Sequence, residues 1–282
     1  MLVNLNDLLI PAKKSGYAIG AFNVYNLETI EVVFDAAISM NIPVIIAFGE
    51  KYNYHNAINL VAQCVRELAY QTSLPIVLHL DHCKSKDLII RAIRAGFTSV
   101  MYDGSSLANS DNIKITSEVV KIAHAVGVSV EAELGCVPAE DTGEFVPEDQ
   151  LTKPEEAKEF VEMTNCDALA IAVGTIHGNY IGKPKIYHQR LKEIARAVSV
   201  PLVLHGGSGN TDEDIGLAID EGIAKININT EISNVAVDKL KKIFTDGYSG
   251  HLSVLFESIK EPMLEVVKEK IKLFSRGKIG LI

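Results

Sequence analysis

Three histidines, His82, His177 and His205, stand at or just past the ends of short runs of β-forming apolar residues, and Asp81 directly precedes the first. The runs are Pro75–Leu80 (PIVLHL), Ala168–Val173 (ALAIAV) and Pro201–Leu204 (PLVL). Neutral imidazole is the commonest side-chain ligand for zinc-like ions. A catalytic zinc takes three protein ligands and keeps a fourth position open. One histidine after a strand is ordinarily a satisfied loop or core residue. Three placed alike, with a carboxylate beside the first, point to one shared metal site. His55, His124, His188 and His251 fall in helical or turn patterns and fit the plainer role.

The elements that must position these groups alternate along the chain. Strand patterns occupy Tyr17–Phe22, Pro43–Phe48, Pro75–Leu80, Ser99–Tyr102, Ser129–Leu134, Ala168–Val173, Pro201–Leu204 and Ala224–Ile228. Amphipathic helical patterns lie between them, including Leu27–Met40, Asn56–Gln71, Lys86–Ala95, Ser110–Ala125, Pro154–Thr164 and Thr211–Glu221. Such alternation implies a parallel sheet covered by helices. Eight units in roughly 250 residues match a (β/α)8 TIM barrel. The first strand lacks the GxGxxG turn of a doubly wound open sheet. Pro262–Phe274 reads as an additional C-terminal helix, and one α/β domain spanning residues 1–282 is expected.

In a barrel, catalytic groups gather where the strands end. Asn23 follows the first strand, Asp81 and His82 the third, and Asp103 the fourth. Glu131 and Glu133 lie on the fifth, His177 and His205 follow the sixth and seventh, and Asn227, Asn229 and Thr230 close the eighth. Alternate strand residues share a face, so His79 is expected to orient Asp81, and Glu133, nearer the top than Glu131, to reach a metal or ligand. Glu131 reads equally as an ion-pair partner inside the barrel. His205-Gly206-Gly207-Ser208-Gly209 lets backbone N–H groups converge on an anion. Asn227-Ile228-Asn229-Thr230-Glu231 opens a helix whose N-terminus also favours one. Phosphate sites in barrels frequently use the loops after strands seven and eight.

Composition narrows the function classes. The chain is 48% hydrophobic, enough for a sizeable core without disulfide staples, and its formal charge is −9 with no basic block. Nucleic acid and anionic membrane are therefore not expected as partners. Cys64, Cys83, Cys136 and Cys166 are scattered without CxxC spacing. With no signal-peptide pattern and no long apolar run, a cytoplasmic location is expected.

The run Leu74-Pro75-Ile76-Val77-Leu78-His79-Leu80-Asp81-His82-Cys83 resembles the signature of class II, metal-dependent ketose-bisphosphate aldolases. Val130-Glu131-Ala132-Glu133-Leu134-Gly135 is similar to the start of their second signature. Gly20-Ala21-Phe22-Asn23-Val24, Gly174-Thr175-Ile176-His177-Gly178, His205 to Gly209 and Asn227 to Thr230 match in the family's order, over nearly the whole chain. The resemblance implies a lyase that reversibly cleaves a ketose 1,6-bisphosphate of fructose or tagatose type into dihydroxyacetone phosphate and an aldehyde. It implies His82, His177 and His205 as ligands of a catalytic zinc ion, whose Lewis acidity stabilises the enediolate. Asp81 would take the proton of the C4 hydroxyl, and Asp103 and Glu133 would match a second or alternative metal position. Asn23, Gly178, Gly206, Gly207 and Ser208, with Asn227, Ile228, Asn229 and Thr230, would bind substrate. A monovalent cation (Na+ or K+) near the phosphate and a homodimer or homotetramer are also implied.

The departures concern the other half of the substrate. The family's acid–base glutamate lies eight residues past the Glu133 position, where this chain has Asp141 preceded by Glu140. Register favours Asp141 and side-chain length favours Glu140. Pro138 stands where glycine or methionine is usual, and Gly49 replaces a frequent serine after the second strand. The Asp-Pro-Arg stretch of many fructose-bisphosphate members is absent, the chain reading Ser253-Val254-Leu255-Phe256 there. Another phosphorylated ketose thus stays open as substrate. A non-catalytic barrel subunit supporting a partner aldolase would be expected to have lost these ligands. A Schiff-base aldolase using Lys225 would leave the three histidines unexplained.

Overall fold

The computed structural model describes residues 1–54, 57–138 and 146–278. Eight parallel strands close into a barrel in chain order: β1 (Ile19–Asn23), β2 (Val44–Gly49), β3 (Ile76–Cys83), β4 (Ser99–Tyr102), β5 (Ser129–Leu134), β6 (Ala168–Ile171), β7 (Leu202–Leu204) and β8 (Ile223–Ile228). The ring shuts by pairing β1 with β8, with Ile19 opposite Lys225. Helices α1 (Leu5–Ser15), α2 (Leu27–Met40), α3 (Ala57–Tyr70), α4 (Lys86–Ala95), α5 (Asn109–His124) and α6 (Pro154–Thr164) belong to the first part of the chain. They are followed by α7 (His188–Ala197), α8 (Asp212–Asp220), α9 (Thr230–Thr245) and α10 (Leu252–Ser275). Among the described residues no helix is long and apolar enough to cross a membrane.

The predicted strands shift by at most three residues at their ends, the most at the end of β3, and two helices differ more. The strand pattern alone does not anticipate α1, which closes the bottom of the barrel. Its buried residues Leu5, Leu8, Leu9 and Ala12 pack in one cluster with Ile19, Ala21, Ile45, Val77, Ala168 and Val203 of the strands. A barrel interior open to water at that end would leave these apolar strand residues wet, and one amphipathic helix of about three turns prevents it. The C-terminal helix, expected over Pro262–Phe274, begins ten residues earlier and runs through Pro262. A proline inside a helix costs about 3 kcal/mol. Leu255, Ile259, Met263, Val267, Ile271 and Phe274 repeat almost every four residues across it, and all six are buried. At about 1.5–3 kcal/mol per large apolar side chain, their burial outweighs the proline. This helix packs on α2, α9 and β1, where Ala18 N–H donates to the Phe274 carbonyl at 3.0 Å.

The longest strand carries the most chemistry. Across the β3–β4 pair, Leu80 stands opposite Val100 and Cys83 opposite Tyr102, so β3 holds one extra residue. The excess is a β-bulge, and His82 sits within it at φ 47°. A left-handed backbone is uncommon for a residue other than glycine and is found chiefly where surrounding structure enforces it.

Candidate functional site

The bulge decides which way the third strand presents its side chains. In a regular strand Asp81 would face the barrel axis and His82 the helices. The extra residue turns both toward the top of the barrel and returns Cys83 to the outer core, where it is fully buried. Both Asp81 and His82 line a cavity of about 640 Å³ at the C-terminal ends of the strands. The next histidine loops meet there by a close approach. Gly206, at φ 64°, lies so near the loop after β6 that a Cβ would run into the Ile176 carbonyl oxygen. Only glycine lets His205 and His177 come together in this way.

Ring nitrogens of His82, His177 and His205 lie within 4.8 Å of one another. The His82 ring centroid is 4.4 Å from that of His205 and 4.8 Å from that of His177. Two of the rings have their outer nitrogen engaged by a carboxylate. His205 Nε2 is 2.9 Å from Glu131 Oε1, and His82 Nδ1 is 3.2 Å from Asp103 Oδ2. Each contact holds an N–H outward and aims the other ring nitrogen into the site, as outer partners of metal-binding histidines commonly do. His205 Nδ1 and His82 Nε2 are 2.7 Å apart. Among the described residues the buried His177 Nε2 has no hydrogen-bond partner, and unpaired buried nitrogens are costly unless something coordinates them. Three imidazoles, one of them orphaned, fit a divalent ion of the zinc type. His82, Asp103 and Glu133 form a second group, again with one donor atom each within 4.8 Å of the others.

Asp81 is fixed from two sides. Asn23 Nδ2 donates to its Oδ2 at 2.9 Å and Asn227 Nδ2 donates to its Oδ1 at 3.1 Å. Burial works to raise the Asp81 pKa, but the positive charge offered by His82, His205 and Lys225 outweighs it and holds the carboxyl well below its ordinary range. The same balance acts on Asp103, where burial is outweighed by His82 and by Ser105, whose hydroxyl donates at 2.6 Å. Burial lowers His82, yet Asp81, Asp103 and Glu133 around it prevail and raise it to about 9. Burial, reinforced by His82 and His205, pushes His177 down to about 3. Glu133 is driven up to about 8 by burial, against the pull of His82.

Sequence parity places some groups correctly and misplaces others. His79 was expected to orient Asp81. Instead its Nδ1 is 2.8 Å from Ser99 Oγ and its Nε2 is 3.6 Å from Glu131 Oε2, and the two asparagines do the orienting. Glu131 is the interior ion-pair partner, 2.8 Å from the fully buried Lys225 ammonium. Asn23, Asp103, Glu133, Gly178, Gly206, Ser208, Asn227, Asn229 and Thr230 all line the cavity. His205 lies just beneath it, wholly buried. Gly207 and Ile228 do not line it: Gly207 N–H donates to the Asn227 carbonyl at 3.2 Å, and the Ile228 side chain packs into the outer core. The glycine run is partly occupied from within, since Gly209 N–H donates to Glu231 Oε1 at 2.6 Å. Glu140 and Asp141 lie outside the described residues. Lys51, Lys84, Ser105 and Cys136 also line the cavity. Their only signal in the sequence is position, each falling within three residues of a strand end on the catalytic face.

Comparison with known proteins agrees with this geometry. The family described as "Fructose-bisphosphate aldolase class-II" matches residues 3–278. A fructose-bisphosphate aldolase of Staphylococcus epidermidis is 39% identical over 281 residues, covering 97% of each chain. Among solved structures, the YdjI aldolase from Escherichia coli K12 superposes with a TM-score of 0.88 at 38% identity, over 99% of this chain and 100% of that one. The fructose-bisphosphate aldolase from Campylobacter jejuni gives a TM-score of 0.81 at 25% identity, over 97% of this chain and 95% of the other.

Proposed function

Since the chain belongs to the class-II fructose-bisphosphate aldolase family, and so is an aldolase acting on a phosphorylated ketose, we propose that it is zinc-dependent and reversibly cleaves a ketose 1,6-bisphosphate of fructose or tagatose type. The products are dihydroxyacetone phosphate and an aldehyde such as glyceraldehyde 3-phosphate. The observation that carries this is the meeting of three imidazoles and the amide-braced Asp81 carboxylate around one cavity.

His82, His177 and His205 would hold the zinc ion, with His82, Asp103 and Glu133 as a second or alternative position. Bound there, zinc supplies Lewis acidity toward the substrate carbonyl and its neighbouring hydroxyl. Asp81, kept ionised, accepts the proton of the C4 hydroxyl while the C3–C4 bond breaks and its electron pair stays with the ketone half. Asn23 and Asn227 hold the carboxylate so that its remaining lone pairs face the substrate. Either Glu140 or Asp141 then delivers a proton to C3, completing dihydroxyacetone phosphate. Ser208, Asn229, Thr230 and the N-terminus of α9 receive the phosphate, with Gly178 and Gly206 leaving it room and a monovalent cation beside it. Lys225 does not act as a Schiff base: it is fully buried, paired with Glu131 and outside the cavity lining.

The protein works as one unit over residues 1–282 and assembles as a homodimer or homotetramer. Exposed Phe244, Leu252, Val254 and Phe256 around the α9–α10 turn support association. Four free cysteines suit a reducing cytoplasm. The test is cleavage of fructose and tagatose 1,6-bisphosphates before and after EDTA, with zinc restored. Activity lost to chelation and regained with zinc is expected. Activity indifferent to EDTA, in protein shown to hold no metal, would sink the proposal.

A further inference from the structure

Asparagine at a helix N-cap ordinarily bends back over its own helix, its side-chain oxygen accepting an N–H of the first turn. Two helices here are capped in this way. Asn4 accepts from Asp7 N–H at 3.3 Å at the start of α1, and Asn26 accepts from Thr29 N–H at 3.0 Å at the start of α2. Asn229 holds the same position on α9, yet among the described residues its side chain accepts no N–H of the first turn. Its Nδ2 donates instead to the Tyr52 hydroxyl at 3.0 Å, on the far side of the β8–β1 seam. The backbone differs as well: ψ is 173° at Asn4 and 177° at Asn26, but −57° at Asn229.

Tyr52 is firmly held where it meets that amide. It ends the short turn Glu50–Tyr52 after β2. The Glu50 carboxylate accepts the Lys84 backbone N–H at 2.8 Å and so braces the turn against the loop after β3. The Tyr52 ring packs on Tyr25 and Phe48, with centroids 5.1 and 6.5 Å away. Gly49 makes room for it, since a Cβ there would stand 3.3 Å from the edge of the ring. The glycine that replaces a frequent serine after β2 is thus coupled to this tyrosine. Asn229 and Thr230 line the cavity and Tyr52 does not, so Tyr52 acts on a ligand only through Asn229.

The consequence lies at the start of α9. A helix N-terminus favours an anion only while its N–H groups are open to it. A folded-back amide would occupy one of them and place its oxygen where a phosphate oxygen must sit. We propose that Tyr52 is a positioning residue: by holding the Asn229 side chain off its own helix, it keeps the α9 N-terminus open for the phosphate of the ketose. The inference rests on the aldolase reading of the loops after β7 and β8. In Tyr52→Phe the ring and its packing remain but the hydrogen-bond acceptor is gone. Asn229 is then free to cap α9, and phosphate must displace that cap in order to bind. Affinity falls by the factor an ordinary cap is worth, about fivefold. The free protein exchanges one hydrogen bond for another, so its unfolding temperature stays level.

The experiment measures dihydroxyacetone phosphate binding to zinc-loaded protein by calorimetry. It compares the natural chain, Tyr52→Phe, Asn229→Ala and the double variant. A dissociation constant about fivefold higher is expected in Tyr52→Phe than in the natural chain. No further change is expected when Tyr52→Phe is added to Asn229→Ala, which has no amide to fold back. A tyrosine that merely supports the fold would weaken binding alike in both backgrounds, and that outcome refutes the proposal. So does unchanged affinity in Tyr52→Phe, or failure of that variant to fold. Loss of all binding in Asn229→Ala also overturns it, because the amide itself would then be the partner of the phosphate. A natural chain that binds zinc but no dihydroxyacetone phosphate would instead remove the phosphate-site reading beneath it.

Discussion

Asp81 is gripped by one amide on each carboxylate oxygen, and that grip sets both its charge and its aim. Replacing it with asparagine removes the base and should lower kcat by about 10²–10⁴-fold. Metal content, read by elemental analysis, stays at one per chain in that variant because the histidines are untouched. Asn227→Ala acts more subtly. It takes away a donor that favours the ionised form, so the Asp81 pKa rises and the acid limb of the kcat/KM profile moves to higher pH. An acid limb that stays in place would mean that Asn227 serves the substrate alone. His82 makes a further residue-scale prediction. Its pKa near 9 in the metal-free protein means that it carries a proton at neutral pH. Zinc needs the neutral ring, so binding at pH 7 releases about one proton from His82, and affinity climbs with pH until the ring is neutral without help. Calorimetry in buffers of different ionisation enthalpy counts that proton; a buffer-independent heat would contradict it.

At the scale of elements, two devices bring the site together: the bulge in β3 and the contact between the loops after β6 and β7. Gly206→Ala tests the second. The new methyl meets the Ile176 carbonyl at a backbone angle that L-residues rarely adopt. Destabilisation of more than about 2 kcal/mol is expected, together with weaker zinc binding as His177 and His205 are pushed apart. Thermal unfolding and metal titration read the two effects separately. Helix α10 offers a test away from the chemistry. Met263 is buried beside Pro262 in the middle of its apolar stripe. Met263→Ala should cost about 2–4 kcal/mol in chemical denaturation. A cost below about 1 kcal/mol would show that the stripe does not hold the helix through the proline.

For the whole molecule, the metal site and the fold are linked through β3 and β5, which supply His82 and Glu131, and through the loops after β6 and β7, which supply His177 and His205. An ion that binds only the closed barrel stabilises all of it at once. With free zinc at a thousand times its dissociation constant the gain is about 4 kcal/mol, which EDTA should remove as a single downward shift of the unfolding transition. A barrel whose unfolding temperature ignores EDTA would mean that the three imidazoles do not hold metal in the folded state.

Much of this was legible in the amino-acid sequence because it is local. The alternation of β-branched runs with amphipathic stretches follows from which side of each element meets water, and that periodicity is written residue by residue. The barrel, the face that carries the chemistry and the three histidines could be read in this way, since each histidine is tied to the strand just before it. Tertiary structure decided the rest. Strand parity turns His82 away from the site, and only the mismatch between β3 and β4 brings it back beside Asp81. Which group orients Asp81 depends on the neighbours that ring closure provides, so Asn23 and Asn227 do what His79, two residues away in sequence, does not. Helix α1 is needed because a closed ring has an end to plug. The loops after β2 and β3 are joined because Glu50 accepts the Lys84 backbone N–H across them. Local periodicity encodes elements, whereas a site is made of residues from different strands, and their meeting exists only once the ring has closed.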